Sequence, residues 1–137
     1  MILTTGDSRI TTLPVGVVVR VWVGAYFHVA LMSDRTMAGE RSVLSFSPQA
    51  GGFIEQPYSA FAEGRAVTVD GYFGTLPPWI VMDRARAARW KAYSWTQFNC
   101  EHFVRHAHGV PVESPQVRQW TVVGCLLGMF ALAAART

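Results

Sequence analysis

The chain has 137 residues, a length that favours one domain built around a single hydrophobic core. Half of its residues are hydrophobic, 12% are aromatic and only 15% are charged, a composition that excludes an intrinsically disordered chain. The formal net charge of +3 permits an anionic partner without requiring one.

The cysteine pattern and the N-terminal residues indicate the cellular compartment of the protein. Cys100 and Cys125 form no C-x-x-C pair, so we predict neither a disulfide scaffold nor a structural zinc site, and no cofactor. The first residues lack a basic segment followed by a long apolar run, which predicts a protein that is not secreted.

The first part of the chain predicts an antiparallel β-meander. β-Branched and aromatic residues dominate residues 15–23 and residues 26–32, which we predict to be two strands. Residues 33–40 have the composition of a turn, and residues 42–46 resume strand character.

The middle of the chain is less regular. Residues 47–64 contain prolines and glycines and predict a loop or flap, with one short helical turn over residues 58–62. Alternation over residues 66–70 predicts a further strand. After a Pro-Pro breaker, residues 79–93 have the composition of a helix.

This predicted helix carries the chain's one local concentration of basic side chains. Arg84, Arg86, Arg89 and Lys91 are candidates for binding an anionic partner such as RNA or anionic lipid. The alternative is an ordinary solvated helix face. No signature of an RNA-binding fold accompanies the basic residues.

The C-terminal segment is apolar. Residues 121–135 contain no charged side chain, and Arg136 follows them. A membrane span needs about 20 residues, so the stretch is short for one. It predicts either a helix packed on the domain or on a partner, or a membrane-seeking anchor. We divide the chain into a domain over residues 1–119 and a hydrophobic helix or tail over residues 120–137.

Cys100 has the sequence context of a cysteine nucleophile. Asn99 is a good N-cap residue, and residues 100–108 predict a helix that ends at Gly109. A thiol in the first turn of a helix feels the positive end of the helix dipole, which lowers its pKa and favours the thiolate.

A thiolate nucleophile also needs a nearby base, for which His28 is the best candidate. His102 follows Cys100 closely on the same helix and faces away from it. On the second predicted strand, Tyr26, His28 and Ala30 share one face, and a helix packed across that face would bring Cys100 to His28. From the spacing alone, a small buried cysteine and a structural histidine remain the alternative.

The other histidines have structural interpretations. We expect His102 to hydrogen-bond to the sheet, and His106 and His108 to lie exposed at the helix end. A metal site formed by Glu101, His102 and His106 is conceivable from their spacing, but we predict no metal.

The hexamer N-C-E-H-F-V at residues 99–104 resembles the signature of the H-box/NC family. That family includes lecithin:retinol acyltransferase, small phospholipid acyltransferases and one class of picornavirus 2A proteins. Residues 26–30, Y-F-H-V-A, resemble the family's Y-x-H-W-A box, and residues 15–17, V-G-V, resemble its P-G-D. An arginine-rich helix upstream of the hexamer also agrees. Size and departures from the pattern resemble the viral class most.

The resemblance implies a fold and a chemistry. The fold is α+β, a permuted NlpC-type papain-like fold in which a small antiparallel sheet packs on the Cys-bearing helix, with a hydrophobic helix added at the C-terminus. Cys100 would be the nucleophile and His28 the base, and in the cellular enzymes the thiolate attacks a lipid ester and forms an acyl-cysteine.

The residue that would orient the base is ambiguous. The family's interval from His28 leads to Glu40, which falls in the predicted turn, whereas matching by strand leads to Leu44 or Ser45. Val29 also stands where the family has Trp. An unoriented imidazole is a weaker base.

Two hypotheses of function follow. One is a non-proteolytic viral accessory protein of the H-box/NC 2A type, which acts in RNA replication in the host cytoplasm through host or viral proteins or a membrane. The other is an active thiol-dependent phospholipid acyltransferase or acyl hydrolase, not a protease, with a lipid ester as substrate. RNA binding by the basic helix is a third, weaker alternative.

Overall fold

The computed structural model shows an α+β fold, as predicted, and describes residues 1–4, 6–112 and 115–135. Its strands are β1 (Ile2–Leu3), β2 (Val18–Trp22), β3 (Phe27–Met37), β4 (Glu40–Ser47), β5 (Gly52–Pro57) and β6 (Val67–Gly71). They form one six-stranded antiparallel sheet in the order β1-β6-β2-β3-β4-β5. The helices in this part of the chain are α1 (Tyr58–Ala62), α2 (Pro78–Ala87), α3 (Cys100–His108) and α4 (Pro115–Ala135).

The sheet has a hydrophobic core on each face, because successive residues of a strand point to opposite sides. On one face, Ala30 and Met32 of β3 pack with Phe61 of α1. On the other face, Val29 and Leu31 pack with α2 and α3. Which of the two faces a β3 side chain occupies therefore decides which helix it contacts.

The start and end of α3 agree with the sequence. The Asn99 side chain accepts hydrogen bonds from the N–H groups of Glu101 and His102, and the Asn99 N–H donates to His102 Nδ1 at 3.0 Å. Gly109 ends the helix in the left-handed conformation. These bonds fix the start of α3 and the place of Cys100 in its first turn.

Three predicted elements need correction. The turn expected over residues 33–40 is mostly strand, because β3 continues to Met37 and only Ala38 and Gly39 turn the chain, both with positive φ. Residues 47–64 are not simply a loop, since β5 pairs with β4 as an edge strand. The helix expected over residues 79–93 ends at Ala87 and continues as one 3₁₀ turn, Ala88–Trp90.

The prediction that His108 is exposed is wrong. It is buried, its Nε2 lies 2.8 Å from the carbonyl oxygen of Gly16, and its ring meets the edge of Tyr72. Burial lowers its pKa, so the ring stays neutral. The helix end is covered because the segment after β6 folds back over it, a long-range contact that helix position does not reveal.

The C-terminal helix is present, and only its first part contacts the domain, through Gln116, whereas its apolar part is exposed. α4 begins at Pro115, before the boundary predicted from composition, and exposes Leu126 to 56% and Leu127 to 66%. The predicted flanking residue Arg136 lies outside the described residues. Among the helices of the described ranges, none is long and apolar enough to cross a membrane.

Gly74 lies against the end of α3, and we predict that Gly74→Ala lowers the free energy of unfolding by about 1–3 kcal/mol through overpacking. A Cβ there would stand 2.8 Å from the His108 carbonyl oxygen and 3.3 Å from Val110 Cγ1. Gly128→Ala, which meets nothing within 4 Å, is the control. Urea unfolding checks this, and equal stability of the two variants would contradict it.

Candidate functional site

Cys100 lies in the first turn of α3, as predicted, but it is enclosed. Its side chain is only 3% exposed and belongs to the core that contains Val29. The thiol donates to the carbonyl oxygen of Phe27, with Sγ and O 3.8 Å apart. Burial raises the thiol pKa to about 12, although contacts with backbone N–H groups oppose the change. The expectation of a thiolate is therefore wrong for this conformation, because desolvation outweighs the helix end.

The carbonyl that accepts the thiol belongs to the start of β3, which pairs with β2 but not with β4. Tyr26 and Met32 hydrogen-bond toward β2, so the alternate residues Phe27 and Val29 direct their N–H and C=O groups toward β4. The ladder between β3 and β4, however, reaches only as far as Ala30. Cys100 thus occupies a place where the next strand would otherwise continue.

His28 lies on the opposite face of the sheet from Cys100. It pairs with Val21 of β2, and its ring centroid is 5.3 Å from that of Phe61 on α1. The prediction that a helix packed across the His28 face carries Cys100 is wrong, because α1 covers this face and α3 packs on the other. Tyr26, His28 and Ala30 alternate along the strand as expected, but α3 packs on the face opposite to His28.

The protonation states also differ from those of a catalytic pair. Burial lowers the pKa of His28 to about 4, with a smaller opposing effect from Glu63. Its Nδ1 is enclosed and has no hydrogen-bond partner within the described ranges. At neutral pH the thiol and the imidazole are both uncharged, and the hydrogen bond of the thiol goes to Phe27. This arrangement does not support proton transfer from Cys100 to His28.

None of the three candidates for the orienting residue performs that role. Glu40 lies at the opposite end of β3 from His28, and its carboxylate accepts from the N–H and hydroxyl of Ser59, at 2.6 and 3.0 Å. Leu44 is buried in the core that contains Cys100. Ser45 lies opposite Ala30, and its Oγ has no partner among the residues described. Glu40 is therefore a structural anchor for α1.

A cavity of about 500 Å³ lies on the His28 side of the sheet. Its wall combines apolar side chains such as Phe61 with the polar side chains of Ser47, Gln56 and Glu63. Cys100 does not line it. The cavity therefore opens on the His28 side chain, whereas the Cys100 thiol contacts the backbone of Phe27 and Val29, on either side of His28.

The predicted basic face is largely engaged within the domain. Arg84 donates twice to a carbonyl in the last turn of α3, at 2.8 and 3.0 Å. Arg86 forms an ion pair with Asp34 at 2.6 Å, Arg89 donates to a backbone carbonyl, and Lys91 lies over an aromatic ring. These contacts favour a structural role for Arg84 and Arg86, whereas Arg89 and Lys91 are exposed.

The remaining predicted residues of α3 are structural. His102 caps the helix through Asn99 rather than bonding to the sheet. Burial lowers the pKa of His106, and nearby cations add to the effect. In the part of the chain that is described, no group of three His, Cys, Asp or Glu side chains is placed to hold a metal ion.

Gln116, in the first turn of α4, was missed by the sequence analysis. Its Oε1 accepts from the Phe27 N–H at 2.7 Å, and its Nε2 donates to the Phe27 carbonyl at 3.0 Å. Nε2 also lies 2.8 Å from the Glu101 carboxylate. A single glutamine at the start of an apolar helix carries no sequence signal, because its partner is a backbone edge far away in the chain.

Comparison with protein-family models, with curated proteins and with solved structures finds no match for this chain. The H-box/NC resemblance therefore rests on the short motifs at residues 15–17, 26–30 and 99–104.

We predict slow alkylation of Cys100 at neutral pH. With Cys125 replaced by Ser, the rate of alkylation by iodoacetamide should keep rising with pH beyond pH 9. A thiol with a pKa of about 12 is almost entirely protonated at pH 9 and below. His28→Ala should leave the profile unchanged. A rate that levels off below pH 8 and falls in His28→Ala would establish a dyad instead.

We also predict an acid-dependent loss of stability from His28. Its pKa in the folded protein is about 4, below the ordinary value of 6.5. Between these two pH values, His28 binds a proton in the unfolded chain but not in the folded protein. Stability is complete above pH 6.5 and falls by about 3 kcal/mol toward pH 4. His28→Phe should remove that part of the slope in urea unfolding at several pH values. An identical slope in both proteins would refute the assignment.

Proposed function

We propose that the chain is a non-proteolytic accessory protein of the H-box/NC type, which acts by binding and not by catalysis. We place it with the picornavirus 2A class, in viral RNA replication in the host cytoplasm, with a membrane and host or viral proteins as partners. The motif at residues 99–104, the histidine box on β3 and a sheet packed on the Cys-bearing helix support this assignment. They also support a permuted NlpC-type fold.

The signature residues favour binding over catalysis. An acyl transfer through cysteine needs a thiolate, a base within reach and access for an ester. Cys100 is enclosed and neutral, and His28 lies across the sheet from it. In this conformation the thiol bonds to a backbone carbonyl, and the imidazole packs on Phe61.

The observation that carries the proposal is the uncovered apolar surface of α4. Large apolar side chains are exposed on several sides of the helix: Val122, Val123, Leu126, Leu127, Met129 and Leu132. Full burial of such a side chain is worth about 1.5–3 kcal/mol, and these side chains are 39–66% exposed, so covering them together stabilises the helix substantially. A partner groove covers one side of a helix, whereas lipid covers all sides. We therefore favour a membrane as what covers α4.

Aromatic side chains mark the base of this surface. Trp120 of α4 is 52% exposed, Trp22 of β2 is 49% exposed, and together they line a groove of about 220 Å³. Tryptophan is enriched at the boundary between lipid and water, where its ring is apolar and its N–H is hydrated. Trp22 and Trp120 would thus lie at the headgroup level, with the apolar part of α4 beyond them in lipid.

We predict that the protein binds neutral phosphatidylcholine vesicles through α4. Leu126→Asp should weaken binding at least about tenfold, because a carboxylate within the apolar region opposes insertion. Gln119→Asp, which adds the same charge in the first part of α4, should bind nearly as the parent does. Vesicle co-sedimentation measures both.

Two results would contradict the proposal. Absence of vesicle binding by the parent protein, or equal binding by Leu126→Asp and Gln119→Asp, would remove the membrane as the partner of α4. Ester hydrolysis that is lost in Cys100→Ala would support the acyltransferase alternative instead.

A further inference from the structure

The first turn of α4 is attached to the signature site through one side chain. The carboxamide of Gln116 bonds to both the N–H and the C=O of Phe27, at 2.7 and 3.0 Å. It therefore reproduces the pair of hydrogen bonds that a neighbouring strand would make, at a point that β4 does not reach. The bond from Nε2 to Glu101, in the first turn of α3, adds a second attachment.

Gln116 and Cys100 share one acceptor. The Phe27 carbonyl receives the Gln116 amide at 3.0 Å and the Cys100 thiol at 3.8 Å. A cavity of about 250 Å³ lies beside Gln116, and Phe27, Val29 and Glu101 also contribute to its wall, whereas Cys100 does not. Removing the Gln116 side chain would enlarge this cavity beside Phe27, whose carbonyl accepts the thiol.

The geometry points to Gln116 as a latch that holds α4 against β3 and keeps Cys100 enclosed, and that opens when α4 enters a membrane. The coupling to a membrane rests on the proposed function, but the latch itself does not. Gln116 is a positioning residue, since it acts on Cys100 through the Phe27 backbone and the placement of α4.

The sizes of the interactions make such a latch reversible. Opening the latch exchanges the hydrogen bonds between Gln116 and Phe27 for hydrogen bonds to water, so its net free-energy cost is small. The apolar side chains of α4 gain much more by leaving water, so their insertion outweighs the latch if the two are incompatible. A local opening of this kind does not require the sheet to unfold.

The latch is tested by the accessibility of Cys100 in a Cys125→Ser background. Gln116→Ala should raise the rate of iodoacetamide labelling at pH 8 about tenfold, which corresponds to the loss of the hydrogen bonds that hold the closed state. Gln119→Ala is the matched control: it removes the same side chain one turn later on α4 and should label at the parent rate.

Two further measurements separate release of the latch from general unfolding. Gln116→Met keeps the length of the side chain without its hydrogen bonds, and should label as fast as Gln116→Ala. Far-ultraviolet circular dichroism, which reports the sheet and helices and not the Trp22–Trp120 groove, should stay that of the parent in every variant that labels faster. Faster labelling accompanied by loss of this signal would overturn the latch, because the thiol would then be exposed by unfolding.

Phosphatidylcholine vesicles test the coupling. They should accelerate Cys100 labelling in the parent protein and add little in Gln116→Ala, where the latch is already open. Equal labelling of Gln116→Ala and Gln119→Ala without vesicles overturns the latch. Vesicle binding that leaves parent labelling unchanged overturns the coupling alone. Failure to bind vesicles, with Gln116→Ala still labelling faster, contradicts the proposed function and leaves the latch supported.

Discussion

The short stretch of β3 that β4 leaves without a partner is the constraint on which the signature site depends. Backbone N–H and C=O groups in a protein interior require hydrogen-bond partners. At Phe27 these partners are the side chains of Cys100 and Gln116, which come from α3 and α4. The cysteine, the start of α3 and the base of α4 are thus joined at one carbonyl group, and each limits how far the others can move.

The alternation of side chains along β3 then separates the two residues that the family motif would pair. Neighbouring residues of a strand lie on opposite faces, so the packing of Val29 against α3 requires His28 to face α1. Changing this relation would require a shift of β3 by one residue, which would also move Ala30 and Leu31 out of their cores. The separation is therefore a property of the whole sheet. It is the structural reason for proposing that the chain acts by binding and not by catalysis.

Much of the fold was accessible from the sequence. The N-cap at Asn99, the ends of α3 and the early strands follow from local preferences, and local bonds produce them. β5 was missed because an edge strand is set by pairing with β4 rather than by its own pattern. The burial of His108, the role of Gln116 and the face on which α3 packs depend on contacts between distant segments. Such contacts leave no periodic or compositional trace.

The central claim, that Cys100 is a structural thiol and not a nucleophile, is tested most directly by a search for its acyl adduct. The Cys125→Ser protein is incubated with a p-nitrophenyl ester at pH 8, and its intact mass is measured over time, with the additional replacement Cys100→Ser as the control. The structure predicts no acyl group on Cys100 beyond the level of the control, because the thiol is enclosed and protonated. An acyl-cysteine that forms at residue 100 and disappears when His28 is replaced by Ala would contradict this account.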